Sequence, residues 1–160
     1  MAIRGIGYPG FMHTEHVLRF PGTTAGFADA VTALRAILDG RSLSARHRHD
    51  VALVFDEVVT NIVNHGRPSG DVDAVIRFGE ETTLVLEDDG VAFDPRTQPA
   101  PPAATRRADI RIGGLGLVIV RELCSRVDYE RTTDERNRLT LSIPVLEQDL
   151  DPTAEFPARR

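Results

Sequence analysis

Residues 55–65 read FDEVVTNIVNH and lie inside the longest helical pattern of the chain. Apolar side chains recur there at helical spacing, which predicts a helix over about residues 44–65. Glu57 and Asn61 stand four residues apart, so they project from one face of that helix, about 5–6 Å apart at Cβ. A carboxylate in this position can act as a general base, and an amide oxygen suits Mg²⁺. Because such a spacing often arises by chance, it alone favours ordinary polar residues beside a buried face.

Outward from this helix, the chain alternates short strand patterns with two further helical patterns. Strands are predicted at residues 14–20, 72–78, 82–87, 127–132 and 139–145, and helices at residues 24–39 and from residue 113 onward. Because hairpins are grouped with helices, we expect an α+β fold: a two-layer sandwich of a mixed, mainly antiparallel sheet with helices on one face. We expect one domain over residues 1–145 and a flexible tail over residues 146–160.

The glycines near the N-terminus spell G-x-G-x-x-G over residues 5–10, the pattern of a dinucleotide-binding turn. No strand pattern precedes them and no clear helix follows, so the setting that gives such a turn its function is missing. We interpret residues 5–10 as a flexible N-terminal segment.

The composition restricts the possible functions. The 160 residues include 24 acidic and 19 basic side chains, for a net charge of −5, and every basic residue is arginine. A chain without lysine has neither a P-loop lysine nor a Schiff-base amine. The acidic balance argues against nucleic acid or a membrane as a direct partner. With a single cysteine, Cys124, and no apolar leader segment, we expect a cytoplasmic protein.

Two further stretches carry groups that could bind a ligand. Residues 87–94 (EDDGVAFD) follow a predicted strand and combine acids with a glycine that a ligand could approach closely; an acidic turn is the alternative. Residues 113–117 (GGLGL) open a helix, where free N–H groups favour a phosphate; a glycine hinge is the alternative. The residues between them, 95–112, show no apolar period, which is typical of a functional loop or a linker.

Each stretch is a weak signal alone, but their order resembles the GHKL ATPase superfamily. The ExxxN helix, the DxGxx turn, the proline-rich loop and the GxG helix start are similar to that family's N box, G1 box, ATP lid and G2 box. The likeness extends from the strand at Thr14 to Val145 and implies the Bergerat (GHKL) fold, with the lid at about residues 95–112. None of the five histidines lies in a phosphoacceptor hairpin, and we expect His47 and His49 to face solvent. The segments 55–65, 93–95 and 137–141 resemble the stand-alone anti-sigma-factor serine/threonine kinases (RsbW-like).

The resemblance implies a role for each matching residue in the first two boxes. Glu57 would be the general base that orients the attacking hydroxyl, and Asn61 would hold Mg²⁺ at the phosphates. Asp88 would accept a hydrogen bond from the adenine amino group. Gly90 would give room beside the base, and Ala92 stands where the family has a second glycine.

The resemblance also implies a phosphate site at the G2 box, formed by Gly114, Leu115, Gly116 and Leu117, with backbone N–H groups of the two glycines on the phosphates. Because the chain has no lysine, the lid cation has to be an arginine. Arg111 lies nearest the glycines, and Arg106 and Arg107 are the other candidates.

By this resemblance the chain is expected to be an ATP- and Mg²⁺-dependent kinase that phosphorylates a serine or threonine of a small STAS-type antagonist protein. It would bind a sigma factor or another regulatory target in competition with that antagonist, as a homodimer. Two departures, Ala92 and Arg136-Asn137-Arg138 in place of Gly-Thr-x, are expected to weaken nucleotide binding. They motivate the alternative of a non-catalytic binding module that sequesters a partner. An ATPase without a protein substrate is a third possibility.

Overall fold

The computed structural model describes residues 5–8, 11–98, 116–146 and 149, with side chains from Thr14 onward. Its elements in chain order are β1 (Gly5–Tyr8), β2 (Phe11–Pro21), α1 (Thr24–Asp39), α2 (Ala45–Asn61), a π-helical turn (Ile62–Gly66), β3 (Asp71–Phe78), β4 (Glu81–Asp88), α3 (Gly116–Leu123), β5 (Arg126–Arg131) and β6 (Asn137–Pro144). The order of the six strands in the sheet is β1-β2-β3-β4-β6-β5, and every neighbouring pair is antiparallel.

The core lies between the helices and one face of this sheet. Alternate residues of β3 and β4 are buried, and the apolar ones among them form a single cluster with Leu34 and Leu38 of α1 and Phe55 of α2. The other face of the strands carries charged pairs such as Glu15–Arg77. This arrangement is the predicted α+β two-layer sandwich with helices on one face, and every described strand pair is antiparallel, without the parallel pairing that a mixed sheet has.

Residues 5–8 do not form a flexible segment, so that prediction was wrong for them, and residues 9–10 lie outside the described residues. Gly5–Tyr8 is a strand that pairs antiparallel with β2, in the register Gly5↔Thr14 to Tyr8↔Phe11. The glycines of the dinucleotide pattern do not follow a strand, because Gly5 and Gly7 are themselves part of strand β1. Its backbone hydrogen bonds go to β2.

The ends of α2 are fixed by specific contacts. At the start, the Ser44 hydroxyl accepts a hydrogen bond from His47 N–H at 3.0 Å, which is an N-cap. At the other end the helix widens into the π-helical turn, after which Arg67 takes a left-handed conformation with φ 49°. The predicted helix over residues 44–65 is thus present, but its last turn is π-helical.

His47 does not face solvent, and that prediction was wrong, although His49 is exposed. His47 is 1% exposed, and one of its ring nitrogens lies 2.8 Å from the Thr82 hydroxyl of β4. It stands four residues before Val51, so it extends the buried stripe of α2 by one turn.

Asp149 lies within the segment predicted to be a flexible tail, and it is 4% exposed. Its carboxylate accepts from the Ser44 hydroxyl at 2.8 Å, and its backbone carbonyl accepts from Ser44 N–H at 2.6 Å. The flexible tail stays a prediction for residues 150–160, which lie outside the described residues. Among the described helices, none is long and apolar enough to cross a membrane.

Candidate active site

A cleft opens beside the second half of α2, the beginning of α3 and the helix-facing side of the sheet. It opens to solvent and is lined by residues of α2, the π-helical turn, the end of β4 with the segment after it, α3, β5 and β6. Apolar side chains form most of its wall, and its few polar side chains are Asn61, Asp88, Tyr129 and Asn137. Such a combination gives binding energy through the apolar wall and orientation through the polar groups.

Asp88 is the last residue of β4 and the buried acid of the cleft, at 3% exposure. Its Oδ1 accepts hydrogen bonds from Gly90 N–H at 2.8 Å and from the side-chain amide of Asn137 at 2.9 Å. From the residues that the structure describes, Oδ2 receives none. The carboxylate therefore keeps an acceptor for a ligand that brings a hydrogen-bond donor.

Gly90 is required by the protein's own backbone. A Cβ atom at this position would lie 2.5 Å from the carbonyl oxygen of Gly66 and 2.7 Å from Asp88 Oδ1. The same Gly66 carbonyl accepts from Val91 N–H at 2.8 Å. The turn after β4 is thus locked to the end of the π-helical turn, and this contact holds Asp88 at the cleft.

Glu57 lies against the first residue of α3. A Cβ atom at Gly116 would overlap Oε2 of Glu57 and would lie 3.1 Å from its Cδ. The glycine therefore lets the first described turn of α3 approach the carboxylate. Asn61 is one turn further along α2 and borders the cleft. The structure thus brings Glu57, Asn61, Asp88 and Gly116 to one region.

A family model described as the histidine kinase-like ATPase domain matches residues 20–143. The chain belongs to this family. It is 34% identical over 129 residues to the serine/threonine-protein kinase BtrW of Bordetella bronchiseptica, a match that covers 78% of this chain and 89% of that protein. It is 26% identical over 97 residues to the anti-sigma F factor of Clostridium novyi, covering 58% of this chain and 67% of that protein.

Two solved structures share the fold of this histidine kinase-like ATPase domain. The RsbU and RsbW domains of a Mycobacterium tuberculosis protein match with a TM-score of 0.56 and 15% identity, over 82% of this chain and 32% of that one. The SiaB–SiaC complex of Pseudomonas aeruginosa matches with a TM-score of 0.55 and 17% identity, over 81% of this chain and 89% of that one. With the family match, they confirm the predicted GHKL-type sandwich.

The remaining predicted site residues of the ATPase domain fall into two groups. Leu117 borders the cleft, whereas Ala92 is exposed and is not part of its wall. Arg111, Gly114 and Leu115, with most of the predicted lid, lie outside the described residues. The roles assigned to all these residues stay predictions.

The sequence reasoning missed Asn137, which it treated only as part of a departure from the family pattern. Asn137 pairs directly with Asp88 in the sheet register and is 6% exposed. The support that a threonine hydroxyl would give to Asp88 is provided here by an amide. The signal was available in the alternation of β6, because residues 137, 139 and 141 share the face that points to the core.

Arg121 of α3 was also missed. Its guanidinium donates to the backbone carbonyls of Pro95 at 2.8 Å and Gln98 at 2.7 Å. These residues form the described beginning of the predicted lid. Arg121 therefore connects the described beginning of that segment to α3.

The three consecutive acids at the end of β4 have three different environments. Glu87 points to the outer face of the sheet and pairs with Arg138, while Asp88 points to the cleft. Asp89 accepts from the backbone N–H groups of Ser69 and Gly70 and from the Ser69 hydroxyl, and that hydroxyl is the main reason why its pKa is lowered. Only Asp88 is available to a ligand in the cleft.

Proposed function

We propose that this ATPase domain is an ATP-dependent serine/threonine protein kinase of the partner-switching type. The observation that carries the proposal is the placement of the Glu57 carboxylate against the start of α3, beside a cleft that contains the partly unpaired Asp88. Such a reaction needs a general base, a helix start that binds the phosphates, and an acid that recognises the adenine.

In the orientation that we propose for ATP, the adenine lies near Asp88 and the phosphates lie near α3. The adenine occupies the apolar part of the cleft, between side chains such as Ile62 and Leu139, with its amino group donating to Asp88. The phosphates then extend toward the start of α3, where the backbone N–H groups of Gly116 and Leu117 serve as donors.

Glu57 acts on the protein substrate. The hydroxyl oxygen of a serine or threonine attacks the γ-phosphorus, the bond to the β–γ bridging oxygen breaks, and ADP leaves. The hydroxyl proton passes to the Glu57 carboxylate. Phosphoryl transfer depends mainly on positioning and charge neutralisation, so few side chains suffice.

Asn61 is the residue in the described cleft that suits Mg²⁺. Its amide oxygen is a neutral, hard ligand one helical turn from Glu57, and it would complement the phosphate oxygens that bind magnesium in such sites. When bound, the ion neutralises phosphate charge. We assign the side-chain cation at the γ-phosphate to Arg111, which is nearest the glycines in the sequence, with Arg106 and Arg107 as the alternatives.

The proposed protein partners are based on the two similar proteins described above. Similarity to a serine/threonine kinase and to an anti-sigma F factor supports a small STAS-type antagonist as the protein substrate. We propose a sigma factor or another regulatory protein as the competing target, a homodimer as the working form, and the cytoplasm as the compartment.

The alternative of a non-catalytic binding module loses its motivation in the structure. It was based on Ala92 and on the Arg136-Asn137-Arg138 segment. Ala92 is exposed outside the wall of the cleft, and Asn137 donates to Asp88. The kinase therefore remains the better supported function.

The test combines ATP binding with phosphoryl transfer to purified STAS-domain proteins from the same organism. Glu57→Gln is expected to lower transfer at least about 100-fold, because general-base catalysis contributes that much, while ATP affinity changes little. Asp50→Asn is the matched control, an acid on the same helix that lies near Arg46 and away from the cleft. If the unmodified protein binds no Mg²⁺-ATP, the enzyme proposal is wrong.

A further inference from the structure

Asn137 forms the centre of a hydrogen-bond chain beside the cleft. Its Nδ2 donates to Asp88 Oδ1 at 2.9 Å and to the carbonyls of Gly90 at 3.3 Å and Val91 at 3.2 Å. Its Oδ1 accepts from the Tyr129 hydroxyl at 2.8 Å and from Arg131 Nη1 at 2.8 Å. One amide thus connects strands β5 and β6 with the end of β4 and the turn that follows it.

These partners permit only one orientation of the amide. An arginine side chain can only donate, and a backbone carbonyl can only accept. If the amide were flipped, its oxygen would face the Asp88 carboxylate and two carbonyls, and its NH₂ group would face a guanidinium. Arg131 also donates to the Gly90 carbonyl at 2.9 Å, so this acceptor of Nδ2 is itself held in place.

The orientation of Asn137 determines what Asp88 offers to a ligand. With Oδ1 committed to Gly90 and Asn137, the carboxylate cannot rotate without losing two hydrogen bonds. Both N–H groups of the amide are already donated, which leaves Asp88 Oδ2 as a hydrogen-bond acceptor for a ligand at this end of the cleft. Adenine presents an amino group to such an acceptor, whereas guanine presents a carbonyl oxygen, which would be repelled.

We infer that Asn137 is the positioning residue that holds Asp88 toward the nucleobase, and that Tyr129 and Arg131 hold Asn137 in turn. Through Asp88, Asn137 thereby selects adenine over guanine. This inference rests on the proposed use of ATP, and it names the residue on which base selection depends.

The test measures the affinities for ATP and GTP, each with Mg²⁺, in Asn137→Leu and Asn137→Thr. Leucine has a similar size and no donor, so ATP affinity is expected to fall about tenfold, the usual value of a hydrogen bond to a charged group. GTP affinity should change much less, so the ratio of the two affinities falls. Threonine retains a hydroxyl donor for Asp88 and should stay within about threefold of the unmodified protein.

Two controls separate positioning from general damage. Thr140→Val alters the same strand on its outer face and should leave the ATP-to-GTP ratio unchanged. In a double-mutant cycle, Asn137→Leu should add less than about twofold to the loss caused by Asp88→Ala, because Asn137 acts through Asp88.

The outcomes also separate this inference from the proposed function. An unmodified protein that binds no ATP contradicts the function. A protein that binds ATP, and whose ATP-to-GTP ratio is unaffected by Asn137→Leu, contradicts the inference alone. Additive losses in the double-mutant cycle would contradict it as well.

Discussion

The two ends of α2 are built differently. At the N-terminal end, the Ser44 hydroxyl accepts a hydrogen bond from His47 N–H and donates one to the Asp149 carboxylate. The backbone N–H of Ser44 donates to the backbone carbonyl of Asp149. The His47 ring is buried and bonded to Thr82 of the sheet. This end therefore has its polar groups bonded within the protein and is joined to the sheet and to the chain after β6.

The C-terminal end has the opposite character. Glu57 lies against the first described turn of α3, and Asn61 borders the cleft. The helix then ends in the π-helical turn Ile62–Gly66, a feature often found at functional sites.

The two ends of α2 thus have different roles: the N-terminal end stabilises the fold, and the C-terminal end provides groups for binding. Paired polar groups stabilise the fold but have no capacity left for a ligand, whereas groups available to a ligand contribute little to the fold. If this division holds, substitutions at the C-terminal end should change activity with little change in stability, and those at the N-terminal end should do the reverse.

The largest effect is expected from Gly116→Ala. The new Cβ would overlap the Glu57 carboxylate, which is the flexible end of its side chain and would be displaced. A displacement of about 1 Å can lower the rate of a positioned reaction about 100-fold. We therefore expect phosphoryl transfer to fall about 100-fold, while the free energy of unfolding in urea changes by less than about 1 kcal/mol.

Gly40→Ala is the matched control. Gly40 follows α1, has φ −78°, and a Cβ there would lie at least 3.6 Å from its neighbours, so both activity and stability should be retained. A Gly116→Ala protein with full activity would mean that the Glu57 carboxylate is not needed in its present position.

A smaller effect, on stability only, is expected from Ser44→Ala. It removes the N-cap and the hydroxyl that donates to Asp149, and loss of such a cap costs about 1 kcal/mol. For a domain of this size the expected decrease in Tm is about 2–4 °C, measured by circular dichroism, with unchanged ATP affinity. A loss of ATP affinity at constant Tm would contradict the division between the two ends.

The sequence predicted more of the fold than of the site because local patterns determine the elements. The α1 helix is where its apolar spacing put it, since Thr23 caps it and Gly40 follows it. Asn137 and Tyr129 were missed because their importance comes from the register that places β6 beside β4 and β5. The burial of His47 likewise depends on Thr82, which is 35 residues away in the chain.

The smallest effect concerns pH and His47. Its pKa is lowered mainly by burial, which outweighs the opposing influence of Asp149 and Asp50. Because the unfolded chain takes up a proton near pH 6.5 and the folded chain resists it, this histidine's contribution to stability is complete above about pH 6.5 and decreases as the pH falls.

His47→Gln should therefore reduce the loss of unfolding free energy between pH 7.5 and 5.5, measured in urea at each pH. One proton contributes at most about 1.4 kcal/mol per pH unit, so the change in slope is smaller than that. Some pH dependence will persist, because the pKa of His16 is also lowered by its burial and by Arg41. The exposed His49 is the control, and His49→Gln should keep the slope of the unmodified protein. An unchanged slope in His47→Gln would show that the N-terminal end of α2 accommodates a charged histidine, which its buried position beside Thr82 argues against.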